Sequence, residues 1–308
     1  MHCVLITGSA GFLGRYISRH FTQSDWKVIG LDIIPEESVL LSGLHQYVRL
    51  NLPDTARLEN VLRQCKPELC IHAAGRASVG LSVANPAADF HAGPPLVFHL
   101  LDSLRVYAPE CRFIFLSSAA VYGNPQKLPV DENQPLAPLS PYGYHKWQSE
   151  LLCQEFTRVY EIPTASVRIF SAYGPGLRRQ VVWDICKKAL CQHEIKLQGT
   201  GAESRDFIHA SDVALGIYQV ARTAPMQGEI YNLANGQEVR IRQLCQMVLA
   251  ALEIDAIPLF DGIVPDGNPL NWCADISRIQ ALDFKPEISL EDGIRGVAHW
   301  CRAELKSI

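Results

Sequence analysis

Tyr142 and Lys146, in the run Ser140-Pro141-Tyr142-Gly143-Tyr144-His145-Lys146, are the residues whose types and spacing point most directly to chemistry. A four-residue offset puts both side chains on one face of a helix, close enough to interact. An ammonium beside a phenol favours the phenolate, so the expected effect is a tyrosine pKa drawn down from about 10 towards the working pH. Such a pair is a candidate acid/base for the proton of a substrate hydroxyl. A tyrosine and a lysine at this spacing also occur on ordinary solvated helix faces, so the surrounding elements must decide between the two readings.

Those elements alternate. Strand runs are expected at Cys3–Thr7, Lys27–Leu31, Tyr47–Leu50, Leu69–His72, Arg112–Leu116 and Thr164–Ile169, with helical patterns at Phe12–Thr22, Thr55–Gln64, Leu96–Tyr107 and Pro141–Tyr160. Several strand runs are almost continuously apolar, as a parallel sheet covered on both faces requires. The fold class that follows is α/β, a doubly wound parallel sheet. After about Pro175 the rhythm changes. A basic helix-like stretch, Arg178–Cys191, leads to Gly199-Thr200-Gly201 and Arg205-Asp206-Phe207-Ile208-His209. The strand run Glu229–Leu233 is expected to rejoin the main sheet, and helix Ile241–Leu252 precedes a Pro- and Gly-rich loop at Pro265–Pro269. The expected division is 1–175 for the main domain, with a return segment near 205–235, and 176–308 for a smaller, interleaved C-terminal substrate-binding lobe.

The turn after the first strand carries Thr7-Gly8-Ser9-Ala10-Gly11-Phe12-Leu13-Gly14 and opens the first helix. The first glycine permits a tight turn, the second lets the backbone approach a pyrophosphate, and the third allows close helix–sheet packing at an anion-binding helix N-terminus. The Gly-x-x-Gly-x-x-Gly spacing is a variant of the commoner dinucleotide fingerprint, in the required strand–turn–helix context. Asp32 ends the second strand 18 residues beyond Gly14, where an acid would bind the adenosine ribose hydroxyls. Its charge repels a 2′-phosphate, and Ile33-Ile34-Pro35 offers no compensating cation, so the expected cofactor is NAD on a Rossmann-type sheet.

Bulk properties agree with an enzyme of this kind. The chain has 308 residues, 48% hydrophobic and 19% charged, as a folded globular chain does. A net charge of −4 gives no drive towards nucleic acid, and no apolar run approaches the roughly 18 residues of a membrane span. The ten cysteines are scattered, without Cys-x-x-Cys or histidines at zinc-site spacing. They read as reduced thiols that hold no metal, and with no leader-like N-terminus the expected location is cytoplasmic.

The chain resembles the extended short-chain dehydrogenase/reductase family in its NDP-sugar epimerase/dehydratase branch. The matching pieces are the Gly8/Gly11/Gly14 turn, Asp32, His72-Ala73-Ala74-Gly75, and Phe115-Leu116-Ser117-Ser118-Ala119-Ala120-Val121-Tyr122-Gly123, followed by Tyr142-x-x-x-Lys146, Phe170-Ser171-Ala172-Tyr173-Gly174-Pro175-Gly176, and Arg205-Asp206-Phe207. The resemblance implies that Ser118 joins Tyr142 and Lys146 as a catalytic residue and hydrogen-bonds the reacting sugar hydroxyl. Lys146 would also hold the nicotinamide ribose, and Ser117 would line the nicotinamide side. Phe12, Leu13, Ala73, Ala74, Asn51 and Leu52 complete the implied cofactor contacts, with Asn51 standing where the family usually has Asp.

Dehydratases of this branch carry an Asp-Glu pair after the catalytic Ser/Thr, and uronate decarboxylases keep the Glu. This chain has Ala119 and Ala120, leaving the redox pattern of a 4-epimerase or of a 4-keto-sugar reductase; a non-catalytic NAD sensor is the third reading. Ser171 replaces an Asn near the substrate diphosphate, Gly93 stands where an Asn usually opens the central helix, and the usual Arg is missing around Val264-Pro265-Asp266-Gly267-Asn268. Arg178, Arg179 and Arg205 are the remaining candidates for a nucleotide-sugar diphosphate. Family members pair through the helices matching Leu96–Tyr107 and Pro141–Tyr160, so a homodimer through Leu100, Leu101, Leu104, Leu151, Leu152 and Phe156 is expected.

Overall fold

The first strand, β1 (Cys3–Thr7), is buried along its whole length. Its residues alternate between two cores: Val4 and Ile6 join one, Cys3 and Leu5 the other. A strand apolar on both faces must be covered on both, which helices on either side of a parallel sheet provide. The computed structural model describes residues 2–38, 43–192, 194–263, 267 and 269–306. Following β1 come α1 (Phe12–Gln23), β2 (Lys27–Asp32), β3 (Gln46–Arg49), α2 (Thr55–Cys65) and β4 (Leu69–His72). Two short helices, α3 (Val79–Ala84) and α4 (Pro86–His91), precede α5 (Pro94–Tyr107), β5 (Arg112–Ser118), α6 (Pro141–Tyr160) and β6 (Thr164–Ile169).

The second half contains β7 (Ser171–Tyr173), α7 (Gln180–Cys191), β8 (Lys196–Leu197), β9 (Ser204–Arg205), β10 (Phe207–His209) and α8 (Ala210–Thr223). It continues through β11 (Gln227–Leu233), β12 (Val239–Arg240), α9 (Ile241–Ala251), β13 (Leu259–Phe260), α10 (Ser277–Gln280) and α11 (Leu290–Lys306). Seven strands form one parallel sheet in the order β11-β6-β5-β4-β1-β2-β3. The expected return strand is β11, on the outer side of β6. The strand order reverses between β1 and β4, so a crevice opens there at the carboxyl ends of the strands.

Helix α8 went unrecognised in the sequence. Its buried Ala210, Val213, Ala214, Ile217, Val220 and Ala221 nevertheless recur at helical spacing on one face. A third core joins α7, α9 and α11 through Ile185, Leu244, Val248, Ile294 and Val297. The short pairs β9–β12 and β8–β13 belong to the same region of the chain.

The apolar residues expected to form a subunit interface are mostly spent inside the protomer. Leu100, Leu101, Leu104 and Phe156 are each at most 1% exposed, and Leu152 packs on the same core. Leu151 alone of that set faces outward, joined on α5 and α6 by exposed Phe98, Val106, Val159 and Tyr160.

Candidate active site

The glycine turn has the tightness its spacing implies. Gly8 has φ +71°, and a Cβ there would lie 2.6 Å from the Ala74 amide nitrogen on the neighbouring β4 loop. A Cβ on Gly14 would lie 2.0 Å from the Gly8 carbonyl oxygen, so the third glycine lets α1 sit directly on the turn. Gly11 caps α1 without a side chain, and the first turn carries no acid, which leaves its N–H groups for an anion. Gly8, Gly11, Phe12, Leu13, Gly14, Ala73 and Ala74 all border a cavity of about 750 Å³. A bare-backbone cradle at a helix N-terminus fits a dinucleotide diphosphate.

Asp32 closes the other end of this arrangement. Its carboxylate accepts from Ala10 N at 3.0 Å and from Ile33 N at 2.8 Å, which ties the end of β2 to the glycine turn. The Leu50 amide bonds the Asp32 carbonyl, placing Asn51 and Leu52 nearby. Asp32, Asn51 and Leu52 lie outside the lining of the large cavity; Asn51 is exposed and Leu52 packs on the second core.

The candidate reacting groups come from β5 and α6. Ser118 ends β5 and accepts from Ala120 N at 3.2 Å, capping a single 3₁₀ turn at Ala119–Val121. Helix α6 starts with Ser140 accepting from Gly143 N and with Pro141 in the first turn. Gly143 permits a close approach: its Cβ would fall 2.6 Å from the Ala120 carbonyl oxygen, so only a glycine lets this helix press against the end of β5. Tyr142 N bonds Ser82 Oγ on α3 at 3.1 Å, and the Tyr142 phenol hydrogen-bonds Ser118. Ser118, Tyr142 and Lys146 therefore meet at one wall of the cavity.

The expected lowering of the Tyr142 pKa is not found. Burial is the dominant influence and pushes the phenol up, with the Ser118 hydrogen bond and Arg179 opposing it. The Lys146 ammonium is 5.8 Å from the Tyr142 ring centre, lies 4.7 Å over the Phe115 ring, and donates to the Leu116 carbonyl at 2.7 Å. Burial draws Lys146 itself down to about 8. The lysine's first allegiance is thus to the backbone of β5.

Ser117 borders the cavity, and its hydroxyl donates to Glu150 Oε1 at 2.5 Å. Glu150 is paired in turn with buried Arg168 at 2.8 Å.

Of the three arginines proposed for a diphosphate, two reach the cavity. Arg205 donates to the Ser204 carbonyl at 2.7 Å and lies 5.4 Å over Trp272; burial lowers its pKa to about 10. Arg179 donates to the Ala77 carbonyl at 2.9 Å, spanning from the start of α7 to the loop after β4. Arg178 points away and is ion-paired with Glu304. Consecutive residues in extended backbone face opposite ways, so one of the pair had to turn outward. Ser171 lines the cavity as expected. Of the loop from Val264 to Asn268, only Gly267 lies within the described residues; it borders the cavity beside Pro269.

Sequence reasoning missed Arg76, Gln180, Gln198, Glu203 and Trp272, all of which line the cavity. Arg76 and Glu203 lay within two residues of motifs already noted, at Gly75 and Arg205, and that adjacency was the available signal. Among the described lining residues Glu203 is the one carboxylate, and it is held by Thr200 and Gly201. The buried Ala119 and Ala120 bring no acid next to Ser118.

Residues 4–234 match the model of the NAD dependent epimerase/dehydratase family. The chain is 31% identical over 311 residues to a Bacillus subtilis protein described as the uncharacterized UDP-glucose epimerase YtcB, covering 94% of this chain and 95% of that one. The UDP-glucuronic acid 4-epimerase of Bacillus cereus, solved with UDP-glucuronic acid and NAD, superposes with a TM-score of 0.89 at 25% identity, over 98% of this chain and 99% of that one. The UDP-N-acetylglucosamine 4-epimerase of Methanobrevibacter ruminantium, solved with UDP-N-acetylmuramic acid, does so with a TM-score of 0.88 at 26% identity, over the same shares of the two chains. With its glycine cradle, its Ser118/Tyr142/Lys146 wall and a match over three quarters of its length, the chain belongs to the NAD dependent epimerase/dehydratase family.

Proposed function

We propose that this protein is an NAD-dependent epimerase of nucleotide-diphosphate sugars that inverts C4 through a transient 4-keto sugar. The observation that carries this reading is the meeting of Ser118, Tyr142 and Lys146 on one cavity wall with alanines, not acids, following Ser118. Elimination across C5 and C6 needs a carboxylate there; simple oxidation and return does not.

Gly8, Gly11, Phe12, Leu13 and Gly14 would hold the NAD diphosphate, Asp32 its adenosine ribose, Asn51 and Leu52 the adenine edge, and Ala73 and Ala74 the far wall. Bound NAD supplies the hydride acceptor that returns the same hydride. Tyr142, in its phenolate form, takes the proton from the 4-hydroxyl, becoming the neutral phenol, and gives it back after the ring has presented its other face. Ser118 orients that hydroxyl. Lys146, fixed to the Leu116 carbonyl at the end of β5, would hold the nicotinamide ribose, and Arg179 favours the proton leaving Tyr142. Arg205, Arg179 and Ser171 face the sugar-nucleotide diphosphate. In this reading 1–175 with the return segment near 205–235 forms the cofactor domain, and 176–308 supplies the substrate lobe.

The test is to incubate the protein with a panel of nucleotide sugars, without added cofactor, and to follow products by NMR. Interconversion of C4 epimers without net NADH supports the reading; demand for stoichiometric reduced cofactor overturns it in favour of a keto-sugar reductase. We also read the protein as a cytoplasmic homodimer, supported by ten free cysteines and by the apolar residues still exposed on α5 and α6. Light scattering at micromolar concentration should give twice the chain mass of 34.2 kDa, and a single mass would contradict the dimer.

A further inference from the structure

We propose that Asp89 and His145 form a positioning pair that sets the proton balance of Tyr142 and Lys146, an inference that rests on the acid/base role just given to that couple. His145 lies between the two on α6, and its Nδ1 is 2.6 Å from Asp89 Oδ2 on α4. The Asp89 side chain is 3% exposed and that of His145 14%, with Phe90 edge-on to the imidazole at 5.4 Å. A carboxylate buried this far costs stability unless it is partnered, so this is a built contact and not a surface encounter.

Two further observations place the pair in the catalytic wall. Asp89, His145, Lys146, His72 and Ser149 share a second cavity of about 20 Å³, room for one water, on the α4 and α5 side of Tyr142. Gly93 borders the same space, where a Cβ would meet the Asp89 carbonyl at 3.4 Å and His145 Cβ at 3.6 Å, so the backbone packs closely around the pair. The Asp89 charge also acts on both catalytic groups, adding to the upward push on the phenol and holding up the lysine against burial.

The other groups facing the couple have settled roles. Glu150, one turn beyond Lys146, is tied to Arg168 and Ser117. Cys153 follows on the same helix, and Ser118 of β5 hydrogen-bonds Tyr142. His72 on β4 is kept neutral by burial, with a pKa drawn down to about 3. Arg179 approaches from the start of α7, and Arg76 reaches the small cavity from the loop after β4. His91, at the end of α4, is exposed beside Phe90. Asp89 is the carboxylate in this set whose partner is an imidazole and not an arginine.

The experiment is a phenolate titration of the full chain by absorbance near 295 nm, with Tyr142 isolated by subtracting the Tyr142→Phe curve. Asp89→Asn should move Tyr142 ionisation to lower pH by about one unit, the size of a nearby charge at an effective dielectric of about 20. Asp89→Glu should restore the original curve. An unchanged or higher titration in folded Asp89→Asn overturns the proposal. Where that variant does not fold, His145→Gln keeps the Asp89 charge with an amide donor: titration at higher pH supports the pair, and an unchanged or lower one overturns it. The readout needs no turnover, so it separates failure of this proposal from failure of the epimerase reading.

Discussion

Replacing Glu150 by Gln should destabilise the protein more than any surface change, because it strands a buried guanidinium. Arg168 and Glu150 have side chains only 2% and 1% exposed. Arg168 donates to the carboxylate twice, from Nε at 3.0 Å and Nη2 at 2.8 Å, and from Nη1 to the Tyr122 hydroxyl at 2.9 Å. Tyr122 in turn donates to Asn232 on β11 at 2.7 Å, so one network joins α6, β6, the end of β5 and the return strand. Breaking a buried pair on one side costs about 3–5 kcal/mol, since the remaining charge has lost its partner but not its burial. At roughly 2 °C per kcal/mol in a chain of this size, Tm should fall by about 6–10 °C. Removing both charges, in Glu150→Gln/Arg168→Met, should cost less than the sum of the single changes by at least about 2 kcal/mol. Denaturant unfolding of the four proteins followed by circular dichroism measures the cycle. A loss below about 1 kcal/mol in Glu150→Gln, or additivity in the double variant, would refute the reasoning.

Asp32→Ala should weaken NAD binding and narrow its advantage over NADP, because the ribose partner and the repulsion of a 2′-phosphate vanish together; calorimetric titration of both dinucleotides measures this, and equal affinities in the unchanged protein would sink the assignment. His72, stacked between Phe113 and Phe115, has its pKa lowered by burial to about 3. Its folded pKa lies below its unfolded value, so the unfolded chain binds the extra proton and stability is lost as pH falls from about 6.5 towards 3, by up to about 1.4 kcal/mol per unit. His72→Asn should therefore flatten the fall in urea midpoint between pH 7 and pH 5, and an identical pH slope in the two proteins would contradict it.

What could be read from the sequence was local. The Gly8/Gly11/Gly14 turn, Asp32 and the Tyr142/Lys146 spacing each express backbone geometry within one or two turns of chain, and β1, β4, β6 and α6 fall where apolar runs and helical patterns placed them. What escaped depends on contacts between distant segments. Glu150 and Arg168 read as ordinary charges until α6 lies against β6. Asp89 and His145 meet only because α4 packs on α6. Arg178 and Arg179 are chemically identical neighbours, and only the direction in which the chain enters α7 decides which one faces the cavity. The raised Tyr142 pKa has the same origin: spacing gives the partner, but burial, a property of the whole fold, gives the larger effect.

The central claim, that hydride leaves and returns to one sugar carbon within one binding event, is tested most directly with isotope. A nucleotide sugar deuterated at C4, converted by the protein in ordinary water without added cofactor, should give a C4 epimer that keeps the deuterium at C4, and Tyr142→Phe should slow the conversion by at least about 100-fold. Loss of the deuterium to solvent, or conversion at an undiminished rate by a folded Tyr142→Phe protein, would contradict the account.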